Sequence, residues 1–224
     1  MRPLIVLRPE PGATATCTAA RERGLRPLAI ALFQIEPAIW VAPDPAAFDG
    51  LLLTSANALR HGGAELDKVR GLPVYAVGEA TAAEAENRGF AMSFTGSGGV
   101  DALLAGIDPD LRLLHLCGEQ WREPATPRQS ITHVPVYRAA ELPPADLSPI
   151  RGAVVAVHSP RAAARLAELA ALSRFDLSAT ALAAISREAV RAAGSGWEQV
   201  ATADEPDDGA LLALAARLCN TSPR

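Results

Sequence analysis

The segment AVVAVHSPRAAARLAELAAL, residues 153–172, decides the fold class of this chain. It opens with a short apolar run in which polar and apolar residues do not alternate, which is typical of a strand buried on both faces. Ser159 and Pro160 follow, and then an alanine-rich stretch with helical periodicity. Proline suits the first turn of a helix, because its missing N–H is not needed there. The segment therefore predicts a strand, a tight loop and a helix in succession.

The same succession recurs along the chain. Short apolar runs bounded by turn residues predict strands at Leu4–Leu7, Leu51–Thr54, Pro73–Val77, Leu111–Leu116, Ala153–His158, Thr180–Ile185 and Gln199–Thr202. Alanine-rich stretches between them predict helices at Ala13–Gly24, Ala80–Gly89, Arg161–Leu172 and Gly209–Leu218. Gly24 and Gly89 stand where glycine commonly ends a helix. This alternation predicts an α/β fold with parallel sheets.

Two stretches break the rhythm. Residues 28–37 and 131–139 look extended, and they occupy similar places in the two halves of the chain. Pro135, in the second stretch, is tolerated in an edge strand but not in a central one. We expect the two stretches to pair as a ribbon that joins two lobes and acts as a hinge.

The two halves of the chain also resemble each other. Residues 53–58 (LTSANA) match residues 157–162 (VHSPRA), and residues 77–82 (VGEATA) match residues 185–190 (ISREAV). The matches are short, but they come in the same order in both halves. Each half is therefore expected to hold the same series of strand-loop-helix units.

Composition restricts the class of protein. With 224 residues, 49% of them hydrophobic and 21% charged, the chain suits one large domain or two small ones rather than a disordered segment. The net charge of −4 argues against a general nucleic-acid binder. Lys68 is the only lysine among 21 basic residues, so contacts to a carboxylate would be made by arginine, which binds it in a bidentate manner.

The cysteines and the apolar runs indicate a compartment. Cys17, Cys117 and Cys219 lie far apart in the sequence and show neither metal-ligand spacing nor the pattern of a disulfide framework. The apolar run near the start is too short for a signal peptide, and no stretch approaches the ~20 apolar residues of a membrane span. We expect a cytoplasmic protein that binds neither membrane nor nucleic acid.

Hydroxyl-bearing and glycine residues follow several predicted strands. In an open parallel sheet, ligands bind beyond the carboxyl ends of the strands. Thr54, Ser55 and Asn57 come after one strand, Gly78 and Thr81 after the next, and Ser159 after its counterpart in the second half. Hydroxyls and free N–H groups at helix N-termini bind carboxylates or phosphates. The alternative is that these hydroxyls only cap helices, and the sequence leaves both open.

Other candidate sites are weaker. The loop at residues 96–101 (GSGGVD) lacks the lysine of a P-loop and does not fit a dinucleotide fingerprint, so it is interpreted as a loop and helix cap whose Ser97 contacts a carboxylate. The histidines, His61, His115, His133 and His158, lack metal-ligand spacing, so we expect no metal site. His158 adjoins Ser159, and a core or surface role is favoured for it over the alternative of a place near the cleft. Tyr137, on the ribbon, is different. A phenol can donate a proton or a hydrogen bond to a departing oxygen, although a packed linker aromatic remains the alternative.

The motifs, taken in order, resemble the uroporphyrinogen-III synthase family. The residues that carry the resemblance are Arg8-Pro9, residues 53–58 and 74–82, Cys117-Gly118-Glu119, Val136-Tyr137-Arg138, Ser159-Pro160-Arg161-Ala162, Ala184-Ile185-Ser186 and residues 203–206. The resemblance implies two flavodoxin-like, parallel-sheet α/β lobes joined by a two-stranded β-ribbon. One lobe would be discontinuous, formed by residues 1–32 and 142–224. Residues 37–132 would form the other, with linker strands at 33–36 and 133–141.

The resemblance also implies a reaction. The family closes the linear polycarboxylate hydroxymethylbilane to uroporphyrinogen III, with inversion of ring D and loss of water, and needs neither cofactor nor metal. Tyr137 matches the tyrosine that is thought to assist departure of the hydroxyl. Ser55, Thr81 and Ser159 would bind acetate or propionate groups, and the rest of the expected binding set is Arg8, Thr54, Asn57, Gly78, Ser97, Gly118, Arg138, Arg161 and Ser186. Many members have glycine and threonine where this chain has Ser186 and Ala189, which puts one hydroxyl contact in doubt unless Ser186 replaces it.

The expected partners follow from the same resemblance. They are the substrate and, transiently, the deaminase that precedes this step, and the chain itself is expected to act as a monomer. A non-enzymatic, bilobed protein that binds a small anion is the alternative function, because it would share the fold. A nucleotide enzyme of Rossmann type is disfavoured by the missing glycine fingerprint.

Overall fold

The computed structural model describes residues 1–143 and 146–221. The chain divides into a first unit, Met1–Gln34 with Glu141–Arg224, and a second unit, Ile35–Ala140. Residues 144–145 and 222–224 of the lobe predicted at 142–224 lie outside the described residues. The mixed α/β class with parallel sheets is confirmed.

The strands are β1 (Leu4–Leu7), β2 (Pro27–Ala29), β3 (Phe33–Pro37), β4 (Gly50–Leu53), β5 (Val74–Ala76), β6 (Met92–Thr95), β7 (Arg112–Gly118), β8 (Ser130–Glu141), β9 (Val154–Val157), β10 (Ala181–Ala184) and β11 (Gln199–Thr202). The α-helices are α1 (Gly12–Glu22), α2 (Asn57–His61), α3 (Glu79–Asn87), α4 (Gly99–Ala105), α5 (Pro160–Leu172), α6 (Arg187–Ala193) and α7 (Asp208–Asn220). None of the helices in the described part of the chain combines the length and hydropathy of a membrane span.

The first unit is built on a five-stranded parallel sheet in the order β11-β10-β9-β1-β2. Every residue of β1, β9 and β10 is buried. Side chains on both faces of these central strands are therefore covered, which explains why their sequences do not alternate. One face packs on α1 and α7 through residues such as Ala20 and Leu211.

The second unit holds a six-stranded sheet in the order β3-β8-β7-β4-β5-β6, in which β8 through β6 run parallel. Leu51 and Leu53 of β4 contribute to one core cluster, and Leu52 contributes to another on the opposite face. The neighbours β4 and β7 run in the same direction, so their carboxyl ends meet at one edge of the sheet.

The predicted ribbon forms from β3 and β8. The Ala38 N–H donates to the Val136 carbonyl at 3.0 Å, and the Leu142 N–H donates to the Leu32 carbonyl at 3.0 Å. The partner number falls as the residue number rises, so the strands run antiparallel. The extended stretch predicted at 28–37 is not a single strand, however. Its first part belongs to β2, which pairs with β1, and only its second part belongs to the ribbon.

Pro135 lies in the part of β8 that pairs with β7, opposite Cys117, and the bonds between β8 and the β3 segment begin one residue later, at Val136. Strand β8 lies between β3 and β7. The register between β7 and β8 shifts at this point, because Cys117 lies opposite Pro135 while Gly118 lies opposite Tyr137. The shift leaves Val136 without a partner in β7, and a proline without an N–H is tolerated next to such an irregularity of the ladder.

Candidate active site

A cavity of about 290 Å³ lies at the carboxyl edge of the second unit's sheet. It is called the β4–β7 pocket below, and it is lined by Thr54, Ser55, Val77, Val100, His115, Gly118, Gln120, Trp121, Arg122 and Tyr137. The parallel register explains the convergence, because residues that follow β4, β5 and β7 emerge at the same edge. The volume is at the lower end of the range of about 300–1,000 Å³ for small-molecule sites.

Tyr137 lies against the end of β7. A Cβ atom on Gly118 would come within 2.8 Å of Tyr137 Cε2 and 2.9 Å of Cζ, so only a glycine leaves room for the ring. Burial raises the pKa of the Tyr137 phenol, while a hydrogen bond with the Ser55 side chain lowers it by less. The phenol therefore stays protonated across the physiological range and is available as a hydrogen-bond donor.

Two histidines stand beside the tyrosine in a line of hydrogen bonds. Thr54 Oγ1 is 3.0 Å from His115 Nε2, and His115 Nδ1 is 2.9 Å from His133 Nδ1. Burial, followed by the nearby His133, lowers the pKa of His115 to about 4, so the ring is neutral at physiological pH. The Trp121 ring stacks on His133 with centroids 3.7 Å apart.

Sequence reasoning missed this group. His115 and His133 were expected to form no metal site and were given no role in a binding site, and Gln120, Trp121 and Arg122 were not considered as pocket residues. The sequence feature that could have indicated this group is a histidine, His115, inside the otherwise apolar strand β7. Cys117 is close by, and the ligand atoms of His115, Cys117 and His133 all lie within 4.8 Å of one another, which makes them the group in the described chain able to hold a metal. Burial raises the pKa of the Cys117 thiol to about 11.

At the carboxyl edge of the first unit's sheet, the polar side chains bond to one another. Arg8 Nη1 donates to Thr16 Oγ1 at 3.0 Å and lies 3.5 Å from the Asp208 carboxylate. The hydroxyl of Thr16 donates to Asp208 at 3.0 Å, and His158 Nε2 is 2.7 Å from the same carboxylate. These contacts, with the His158 hydrogen bond foremost, hold the pKa of Asp208 below its usual value.

Two of the predicted binding hydroxyls cap helices. Ser159 Oγ accepts from the Ala162 N–H at 3.1 Å, and Ser186 Oγ accepts from the Ala189 N–H at 3.3 Å. Both residues are therefore N-caps, of α5 and α6. Capping uses one acceptor position of each hydroxyl, so the contact does not by itself exclude a ligand.

The remaining predicted residues lie apart from the pocket lining. The Arg161 guanidinium lies over the Phe33 ring, 4.3 Å from its centroid, and Arg138 pairs with Glu36 at 3.1 Å. Asn57 begins α2, Gly78 precedes α3, Thr81 is buried within α3, and Ser97 is exposed ahead of α4. Of the predicted set, the structure places Thr54, Ser55, Gly118 and Tyr137 together in the pocket.

Comparison with known proteins gives a consistent result. A family model described as uroporphyrinogen-III synthase HemD matches residues 15–213. The solved structure of uroporphyrinogen-III synthetase from Helicobacter pylori 26695 is similar, with a TM-score of 0.66, 17% identity and coverage of 97% of this chain and 100% of that one. The wild-type synthase of the extremely thermophilic bacterium Thermus thermophilus aligns with a TM-score of 0.40, 18% identity and coverage of 96% and 97%. No curated protein gives a significant match.

Proposed function

The chain belongs to the uroporphyrinogen-III synthase family, a family of lyases in porphyrin biosynthesis, and from this premise we propose that the β4–β7 pocket is its reaction centre. The substrate is hydroxymethylbilane and the product is uroporphyrinogen III. The observation that carries the proposal is the placement of the Tyr137 phenol in the pocket, against Gly118 and in contact with Ser55.

The first step breaks the bond between the hydroxymethyl carbon and its oxygen. Electrons from the adjacent pyrrole nitrogen replace the departing pair, and Tyr137 donates a hydrogen bond to the leaving oxygen. Burial raises the pKa of this phenol, so the phenol keeps its proton. It stabilises the departing hydroxide by donating a hydrogen bond to it. The proton that completes the water comes from the free α-carbon of ring D, at the end of the chain opposite the hydroxymethyl group, which loses its hydrogen as the macrocycle closes.

The pocket holds the reacting end of the substrate rather than the whole chain. Its volume of about 290 Å³ suits one pyrrole ring with its substituents. The hydroxyls of Thr54 and Ser55 and the charge of Arg122 line the same space, and they are groups that bind carboxylates. Since the open-chain substrate closes unaided to the unrearranged isomer, the enzyme's contribution is to impose geometry on the ring.

The other predicted residues contribute further carboxylate contacts in this proposal. Arg8, Ser159 with Arg161, and Ser186 follow β1, β9 and β10, at the carboxyl edge of the first unit's sheet. Asn57, Gly78, Thr81 and Ser97 follow β4, β5 and β6 in the second unit, and Arg138 follows Tyr137. Their positions support the assignment, because parallel sheets bind ligands at this edge.

The proposal includes the setting of the reaction. The loss of water is redox-neutral and the substrate closes without help, so no cofactor is needed. We expect a monomer in the cytoplasm that receives its unstable substrate from the preceding deaminase by transient contact. The three cysteines are free and buried, which is compatible with a reducing compartment.

The test is to incubate the purified protein with hydroxymethylbilane and to separate the oxidised products by isomer. We expect the type III isomer in excess over the spontaneous type I isomer. A protein that only binds small anions would leave type I as the sole product, and that result would reject the synthase assignment. Isothermal titration with a non-cyclising linear polycarboxylate would then show whether binding remains.

A further inference from the structure

We propose that His115, Cys117 and His133 form a site for a borderline or thiophilic divalent cation, with Zn²⁺ as the reference, in the wall of the β4–β7 pocket. The three residues lie in neighbouring parallel strands of the second unit. His115 and His133 stand directly opposite each other in the register of β7 and β8. Cys117 is two residues beyond His115, so its side chain is on the same face of the sheet.

The distances suit coordination. All three ligand atoms lie within 4.8 Å of one another, and the two Nδ1 atoms are 2.9 Å apart. In a tetrahedral zinc site with metal–nitrogen bonds of about 2.0–2.1 Å, two nitrogens are roughly 3.3 Å apart. The pair needs to open by only a few tenths of an ångström, which a small ring rotation supplies.

The donor types decide the class of cation. Two imidazole nitrogens and a thiolate favour zinc and similar transition metals over the hard cations Mg²⁺ and Ca²⁺, which prefer oxygen. Three protein ligands leave one coordination position unfilled by protein. Of the three ligands, His115 lines the pocket, and in this proposal water or a small ligand completes the coordination.

Neighbouring side chains already orient the ligands. Thr54 Oγ1 lies 3.0 Å from His115 Nε2. In the tautomer that the proposal assigns to His115, the hydroxyl accepts the Nε2–H and leaves the Nδ1 lone pair directed at the site. The Trp121 ring, stacked on His133 at an interplanar angle of 13°, fixes the second imidazole. Such outer contacts hold metal-binding histidines in their tautomer and orientation. The two ligand histidines therefore already make the outer contacts that hold the ligands of a metal site in place.

Binding has a defined proton balance. The Cys117 thiol loses its proton to solvent and becomes the thiolate ligand. Before binding, one proton lies between the two Nδ1 atoms. On binding, this proton moves to His133 Nε2, so both Nδ1 lone pairs face the cation. No electron is transferred, and one proton is released for each cation bound.

Cobalt substitution tests the site directly. The full chain, stripped of metal with EDTA and kept reduced, is titrated with Co²⁺. We expect one equivalent to produce the visible absorption of tetrahedral Co²⁺ together with a near-ultraviolet thiolate charge-transfer band, and Zn²⁺ to bleach both. An octahedral spectrum without the thiolate band would overturn the proposal, because it would report adventitious surface binding.

Matched variants locate the cation. Cys117→Ser should abolish the charge-transfer band, whereas Cys219→Ser, in the core of the first unit, should retain it. Thr54→Val should weaken Co²⁺ binding by about 10–100-fold, as loss of an outer contact does. If Cys117→Ser does not fold, as judged by circular dichroism, His133→Gln replaces it, since that ring is only partly buried and should lose the tetrahedral spectrum. A band that survives either substitution rejects the site.

Discussion

The ends of β4 and β9 occupy corresponding positions in the two units and carry different chemistry. After β9, His158 bonds to the Asp208 carboxylate and Ser159 caps a helix. After β4, Thr54 bonds to a neutral imidazole and Ser55 contacts a phenol. The repeated strand-loop-helix unit therefore sets where side chains emerge, while the neighbouring strands decide what these side chains do.

The carboxyl edges of the two sheets also differ in charge. In the first unit, Arg8 and His158 surround a carboxylate, so much of the local charge is balanced within the protein. The residues that line the β4–β7 pocket include Arg122 but neither aspartate nor glutamate. A polycarboxylate meets no like charge in that lining, and a lining free of like charge favours an anionic ligand. Four sets of substitutions test this contrast, and they follow in order of expected effect.

Tyr137→Phe should have the largest effect. Removing the phenol hydroxyl takes away the donor to the leaving oxygen, and we expect kcat for type III formation to fall by about 10²-fold. Stability should change little. Tyr75→Phe is the matched control, because the other tyrosine packs in a core cluster. An unchanged rate in Tyr137→Phe would make Tyr137 a packing residue and would remove the main functional contrast between the units.

Gly118→Ala should affect both activity and stability. Its Cβ atom would lie 2.8 Å from the Tyr137 ring and push the ring out of place. We expect a loss of about 1–3 kcal/mol in the free energy of unfolding, together with a reduced rate. Gly71→Ala controls for the added methyl group, since nothing lies within 4 Å of that position. Chemical denaturation measures the first effect, and type III formation measures the second.

Asp208→Asn should weaken the first unit in a pH-dependent manner. The folded-state pKa of Asp208 is depressed, so its stabilisation is present above the unfolded value of about 3.9 and is lost as the pH falls through the lower folded value. With the carboxylate about a third exposed, we expect a difference of about 1 kcal/mol at pH 7. Urea unfolding at several pH values checks whether the gap between wild type and variant closes in acid. A constant gap contradicts the assigned role of the ionised carboxylate.

Ser55→Ala and Ser159→Ala form the finest test, because these two serines hold the same place in the repeat. Loss of the Ser159 cap should lower stability by about 1 kcal/mol. Ser55 Oγ also accepts from the Asn57 N–H at 3.2 Å, but its side chain contacts the phenol of Tyr137 as well, so loss of Ser55 should lower kcat in addition to a smaller loss of stability. Equal effects of the two variants on both stability and kcat would erase the distinction. A raised KM in Ser159→Ala would show that this serine binds substrate as well as capping a helix.

Some strands were placed from the sequence with their observed bounds, including the exposed edge strand β11, and others were not. The run at Leu4–Leu7 and the one at Gln199–Thr202 were placed with the bounds that the structure has. Strand β6 was missed because its sequence, Met92–Thr95, has no continuous apolar run, and β2 was predicted only as the start of the longer extended stretch at 28–37. Tertiary pairing rather than local pattern makes them strands.

Part of the candidate site was predicted from the sequence, and part was not. Thr54, Ser55 and Tyr137 were predicted because they belong to local motifs. The meeting of His115 with His133 was not predicted, since spacing rules for metal ligands compare residues along the chain. These two histidines come together only because β7 and β8 pair in a register that places Leu114 opposite Thr132 and therefore His115 opposite His133.

The discontinuous first unit has a consequence for synthesis on the ribosome. Strand β1 is made first, yet in the sheet it lies between β2 and β9, and β9 begins only at Val154. The residues of the second unit form one uninterrupted stretch, 35–140, and can fold as they emerge. We therefore expect β1, a fully buried apolar strand, to lack its β9 partner until more than half of the chain has been synthesised. Chaperones that hold apolar segments would act on this nascent chain during that interval.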